Sequence, residues 1–115
     1  MSLETVRSLC RDVADKYKAL ANEFRVLILA VLLVLGETKW SFLKRKLEKI
    51  VETKINPNLL AFHLRKLVKA GYVERITLGN EIIYRLCLPS EIEHNIMPVA
   101  NNIRELIKEK NNYDR

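Results

Sequence analysis

Residues 56–86 read NPNLLAFHLRKLVKAGYVERITLGNEIIYRL, and this stretch decides the fold. Asn56 is a side chain that accepts from free helix N–H groups, and Pro57 at a first helical position forfeits no hydrogen bond, so the pair starts a helix. That helix runs over 57–70 and Gly71 ends it. At about 100° per residue, Leu60, Leu64, Leu67 and Val68 fall on one arc. Asn58, Phe62, Arg65 and Lys69 line the opposite side, with Leu59 and Lys66 flanking them. Two β-type runs follow, 72–78 and 81–88, joined by Gly79-Asn80, a two-residue hairpin turn that tolerates positive φ.

Working upstream, a third helix opens at Ser41 as its cap. It carries apolar Leu43, Leu47, Ile50 and Val51 on one face and Lys44, Arg45, Lys46 and Lys49 on the others. A short extended piece, Thr38-Lys39-Trp40, precedes it. Asn22 caps a second helix over 23–35, stopped by Gly36 and apolar nearly all round, which only a helix enclosed by other elements tolerates.

The two ends of the chain read alike. Ser2 caps a first helix with Leu3, Val6, Cys10, Val13, Tyr17 and Leu20 in line, and Pro89-Ser90 opens a last helix with Ile92, Ile96, Val99, Ile103 and Leu106 in line. In the last helix Ser90 and Glu93 have the spacing of a capping box, and Pro98 introduces a kink. Stripes spaced by threes and fours are narrow and suit a helix–helix seam. The expectation is therefore a mainly α fold with a β-hairpin wing, a winged helix-turn-helix over 1–115. A DNA-binding core spans 22–88, and helices at 1–20 and 90–110 form a dimer interface through Val6, Cys10, Val13, Tyr17, Ile96, Val99, Ile103 and Leu106.

Charge singles out the same region. The net charge is +6 over 115 residues, yet residues 39–75 hold ten basic and three acidic side chains, a surplus of +7. A surplus so localised points to a polyanion-facing surface. Cys10 and Cys87 lie far apart without a Cys/His cluster and read as reduced thiols of a cytoplasmic protein. The longest apolar run, 26–35, is about half of the roughly 20 residues that a membrane span needs, and no charged-then-apolar leader opens the sequence. Paired carboxylates, a nucleophile elbow and a phosphate-binding glycine loop are all missing from the sequence, which disfavours an enzyme, and no cofactor or metal is expected.

On the fourth helix, Asn58 can bind adenine, Arg65 guanine, and the Phe62 ring a thymine methyl, while Lys66 and Lys69 reach phosphates. Phe62 breaks the binary pattern, so it either faces solvent or is partly buried by a rotated helix. His63, at the edge of the buried arc, is either a packed, hydrogen-bonded residue or a phosphate contact. The run Lys44-Arg45-Lys46 lies where a helix would cross the DNA backbone. Arg75 leads into the hairpin and offers another phosphate contact; the tip at Gly79 and Asn80 has no Lys or Arg and offers backbone N–H groups, unless the hairpin merely covers the core.

The stretches KALANEFRVLILAVLL, KWSFLKRKL, NPNLLAFHLRKLVKAGYVERI and NEIIYRL resemble the ArsR-type winged-helix repressors, chiefly the archaeal ones, over roughly residues 18–87. The resemblance implies a homodimer whose two recognition helices bind successive major grooves of an imperfect palindrome in double-stranded DNA. It places Asn58, Leu59, Phe62 and Arg65 where the family reads bases, and Ser41, Lys44, Lys66 and Lys69 where it touches phosphates. The sequence departs from the family in two respects. The Cys-x-Cys motif of metal-sensing members is replaced by Thr38-Lys39-Trp40-Ser41, and His94 with Glu91 and Glu93 lacks a second histidine, so metal sensing does not carry over. The sixteen residues from Leu47 to His63 exceed the family's usual spacing, which lengthens the third helix and puts the turn at 53–56. Beside a sequence-specific transcription regulator stand two alternatives: an architectural DNA binder without an operator, and a protein–protein module docking through Leu59 and Phe62.

Overall fold

Residues 26–32 are buried on every side, and the rest of the chain is arranged around them. They belong to the second helix of a computed structural model that describes residues 2–16 and 22–113. The elements run α1 (Leu3–Lys16), α2 (Glu23–Leu35), β1 (Thr38–Lys39), α3 (Trp40–Val51), α4 (Pro57–Lys69), β2 (Val73–Leu78), β3 (Glu81–Leu86) and α5 (Ser90–Tyr113). α2 touches α1, α3, α4, α5 and β3, so each of its apolar sides has a partner. Each fully buried Leu or Ile contributes about 1.5–3 kcal/mol, which makes this post the main source of stability.

Local chemistry sets most boundaries. Asn22 Oδ1 accepts from the N–H groups of Phe24 (2.8 Å) and Arg25 (3.3 Å), and Gly36 at φ 76° ends the helix. Asn56 Oδ1 accepts from Asn58 N–H at 2.8 Å, with Pro57 in the first turn. Ser2 Oγ accepts from Thr5 N–H at 3.2 Å. Two expected caps are corrected. α3 begins at Trp40 behind Lys39, whose side chain makes no cap bond, so Ser41 lies inside the first turn. In α5 the Pro89 carbonyl accepts from Glu93 N–H at 3.0 Å, so Ser90 also lies within the first turn. Pro98 is carried inside a single helix; Asn102 Nδ2 donates to its carbonyl at 2.7 Å.

The three strands form one antiparallel sheet in the order β1-β3-β2. β2 and β3 are the expected hairpin, in register Arg75↔Tyr84 and Leu78↔Glu81 around Gly79 at φ 62°. The extended piece before α3 is its third strand, paired Thr38↔Tyr84 and Lys39↔Ile83. That pairing ties the start of α3 to the middle of the hairpin's second strand.

The outer helices behave differently from the seam expected of them. Val6 and Cys10 of α1 and Ile96, Val99, Ile103 and Leu106 of α5 are buried in the core of the single chain. α1, α2 and α5 pack on one another, so these six residues are an internal seam and not a surface offered to a second copy. The physical reason is α2: apolar all round, it needs cover on the sides that α3 and α4 leave open, and the stripes of α1 and α5 supply it. The side chain of Val13, and Tyr17 as a whole, lie outside the described residues.

Candidate nucleic-acid interface

α4 is two-faced, as its sequence requires. Leu60, His63, Leu64 and Leu67 are buried, whereas Asn58, Leu59, Phe62, Arg65, Lys66 and Lys69 are exposed. Phe62 is 43 % exposed and Leu59 50 %, which decides against a rotated helix. The solvent-facing ring is not bare: Lys66 Nζ lies 5.4 Å from the Phe62 centroid. The same device recurs on α3, where Arg45 and Lys46 sit 5.8 and 5.3 Å from the centroid of exposed Phe42.

His63 is the packed residue of its two readings. Its Nδ1 accepts from Arg25 Nε at 3.1 Å, and its ring meets Phe24 and Phe62 edge-on at 5.3 and 5.4 Å. An acceptor nitrogen facing a guanidinium belongs to a neutral imidazole, and burial, with the Arg25 charge second, holds the His63 pKa below its ordinary value. α2 thus grips α4 through Arg25 and Phe24, which both meet His63 and neither of which the sequence marked as functional.

The turn between α3 and α4 spans 52–56, with Glu52 in the left-handed region at φ 60°. Glu48 braces it: its Oε2 accepts from Lys44 Nζ at 2.9 Å and from Ile55 N–H at 2.8 Å. The Ile55 bond and then Lys44 hold the Glu48 carboxyl below the usual carboxylate range. Lys44, expected on a phosphate, is therefore engaged by a carboxylate, with its side chain only 24 % exposed. Sequence reading missed Glu48, although the Lys44–Glu48 spacing of four is a helix ion-pair signal.

A division among the cations is the main electrostatic fact. Lys39 pairs with Glu81, Arg85 with Glu74 and Glu37, and Arg7 and Arg11 with Glu23. Among the described residues, Arg45, Lys46, Arg65, Lys66, Lys69 and Arg75 have no carboxylate within ion-pair reach. These six lie on α3, α4 or the first strand of the hairpin; Lys54 in the turn, Arg25 on α2 (bound to His63) and Arg104 and Lys108 on α5 also lack a carboxylate within ion-pair reach among the described residues. Three of them, Arg65, Lys69 and Arg75, rim a groove of about 650 Å³ between α4 and the hairpin, lined also by Trp40, Leu64, Val68, Ile82 and Tyr84. Ser41 is exposed at the start of α3. The tip residues Gly79 and Asn80 are exposed beside Leu78, itself 59 % exposed.

Cys10 is 1 % exposed and burial, with Glu23 second, pushes its thiol up to about 12, which makes it an inert core residue. Cys87 is exposed, its Sγ 3.7 Å from Glu74 Oε2. Among the described residues, no group of three or more His, Cys, Asp or Glu side chains gathers, and no helix is long and apolar enough to cross a membrane.

Among the described residues, five helices, two of them (α3 and α4) joined by a short turn, and a three-stranded sheet ending in a hairpin define a winged helix-turn-helix fold. No protein-family model and no curated protein matches the chain. Two solved structures are similar to it. The complex structure of hsRosR-S4 is 23 % identical, covering 87 % of this chain and 79 % of that one, with a TM-score of 0.58. The complex structure of hsRosR-S1 is 22 % identical, covering 88 % and 94 %, with a TM-score of 0.59. At such identity the likeness is one of fold, and it does not single out the ArsR type among winged helices.

Proposed function

We propose that the chain is a sequence-specific double-stranded-DNA-binding transcription regulator, of ArsR-like kind without that family's metal-sensing cysteines. The recognition helix 57–70 lies in the major groove and the wing 72–88 lies alongside. One observation carries this reading: among the described residues, six cations without a carboxylate in ion-pair reach, Arg45, Lys46, Arg65, Lys66, Lys69 and Arg75, gather on the helix pair and the hairpin, against two on α5, Arg104 and Lys108, while Lys39 and Arg85 on the sheet and Arg7 and Arg11 on α1 are neutralised in place. Unneutralised charge gathered on the elements that would meet a duplex is an electrostatic footprint for phosphates.

Within that frame the exposed side chains of α4 divide by chemistry. Asn58, nearest the helix start, can pair two-fold with adenine, Arg65 with guanine O6 and N7, and the Phe62 edge with a thymine methyl, with Leu59 beside it. Arg45, Lys46, Lys66, Lys69 and Arg75, with the Ser41 hydroxyl, serve phosphates; Lys44 would first have to leave Glu48. A single chain presents one recognition helix. An imperfect palindrome therefore calls for a homodimer, joined by surfaces other than the six buried stripe residues.

A second reading, a protein–protein module, is favoured by the exposure of Phe42, Leu59 and Phe62. The cations lying over both phenyl rings weigh against it, because an apolar partner would have to desolvate them. Selection from a random duplex pool at moderate salt tests the proposal. Enrichment of one motif supports it; retention without enrichment leaves an architectural DNA binder, and no retention removes DNA from the account.

A further inference from the structure

The groove between α4 and the hairpin is poorly explained by phosphates alone. Six of its lining side chains, Trp40, Ala61, Leu64, Val68, Ile82 and Tyr84, are apolar or aromatic and come from the helix, the sheet and the start of α3. A sugar–phosphate strand needs donors along its whole path. Here the donors Arg65, Lys69 and Arg75 stand at the rim, exposed and without carboxylate partners among the described residues. About 650 Å³ is within the range of small-ligand pockets, and an apolar floor with a few convergent polar groups is their usual make-up.

We infer that this groove is an effector site for a small amphipathic carboxylate, an acid with one anionic head and a hydrocarbon body. The head takes the two guanidinium forks of Arg65 and Arg75, whose planar donors match a carboxylate, with the Lys69 ammonium adding charge. The body lies along Trp40, Val68, Ile82 and Tyr84. A neutral apolar molecule would leave the cations unsatisfied, and a fully hydrophilic anion would gain nothing from the floor. Because Arg65, Lys69 and Arg75 also belong to the proposed DNA surface, acid and DNA exclude one another; that coupling, though not the binding itself, rests on the function proposed above.

Trp40 is the single tryptophan of the chain and lies in the groove, so its fluorescence reports occupancy without a label. The full chain is titrated with decanoate below its micelle concentration, with 1-decanol and decyltrimethylammonium as uncharged and cationic counterparts. A saturable change with decanoate, at least tenfold weaker with the other two and weakened about tenfold by R75Q, is the expected result. Arg75 is exposed, so this substitution should leave the fold intact, and an unchanged circular-dichroism spectrum is the check. Equal response to all three amphiphiles, no saturable response, or an unchanged affinity in R75Q overturns the site. Competition then tests the coupling with a labelled duplex: decanoate should displace it, and simultaneous binding overturns the exclusion. If decanoate binds as expected while no duplex binds at all, the effector site stands and the DNA reading fails.

Discussion

Phe62 concentrates the functional problem at the level of a single residue. An aromatic ring 43 % exposed on a cationic helix is unfavourable unless something desolvates it on binding, and Lys66 over its face only partly compensates. The sequence placed Phe62, Asn58, Arg65 and Lys69 on one side of α4 because a 3.6-residue period is enough to separate two faces. What it left open was the partner of His63, since Arg25 lies 38 positions away and no local pattern encodes that contact. Two outcomes follow at this scale. Asn58→Ala or Arg65→Ala should lower preference at particular base pairs by about 1–3 kcal/mol, whereas Lys69→Ala should weaken all sequences alike, as read by competition against point-mutated duplexes. Uniform loss from all three would move α4 out of the major groove.

His63 also gives the chain a pH dependence. Its folded pKa is held below the ordinary histidine value, so the unfolded chain binds the extra proton. The stability contributed by the neutral ring is complete above about pH 6.5 and is lost as pH falls through the lower folded value. Urea midpoints should therefore begin to fall as pH drops below about 6.5, and His63→Phe should flatten that onset. A midpoint that falls equally in the variant would assign the loss to other groups.

At the scale of elements, caps and turns were legible where the side chain bonds its own backbone. Asn22 and Asn56 each close the first turn of the helix they precede, and Gly79 sits where positive φ is needed. Ser41 and Ser90 show the failure of the same rule: the tertiary pairing of β1 with β3 starts α3 two residues early, and the Pro89 carbonyl takes the first bond of α5. The Glu48 brace was invisible for a related reason, because its bond to Ile55 exists only once the turn has folded back. Asn56→Ala should destabilise the chain by about 1 kcal/mol in urea unfolding, while Asn56→Asp should be close to neutral. Equal losses from both would mean that the cap bond is not what starts α4.

For the whole molecule, six of the eight stripe residues expected between two copies, Val6, Cys10, Ile96, Val99, Ile103 and Leu106, are buried within the one chain. Periodicity reports that a helix has an apolar side, but whether that side meets its own chain or another depends on how much cover α2 demands, which no local window contains. With Ile103 fully buried, Ile103→Ala should lower stability by about 2–5 kcal/mol whatever the protein concentration. An unchanged stability with a shift in sedimentation alone would restore the stripe to a dimer interface.

The most direct test of the central claim is the affinity of the full chain for duplex DNA measured from about 50 to 200 mM salt. With unpaired cations on the helix pair and wing meeting phosphates, log affinity should fall steeply against log salt, by about 0.9 per phosphate neutralised. The slope should shrink by about one when Lys69 becomes Ala. A flat salt dependence, or one that Lys69→Ala leaves untouched, would contradict the account.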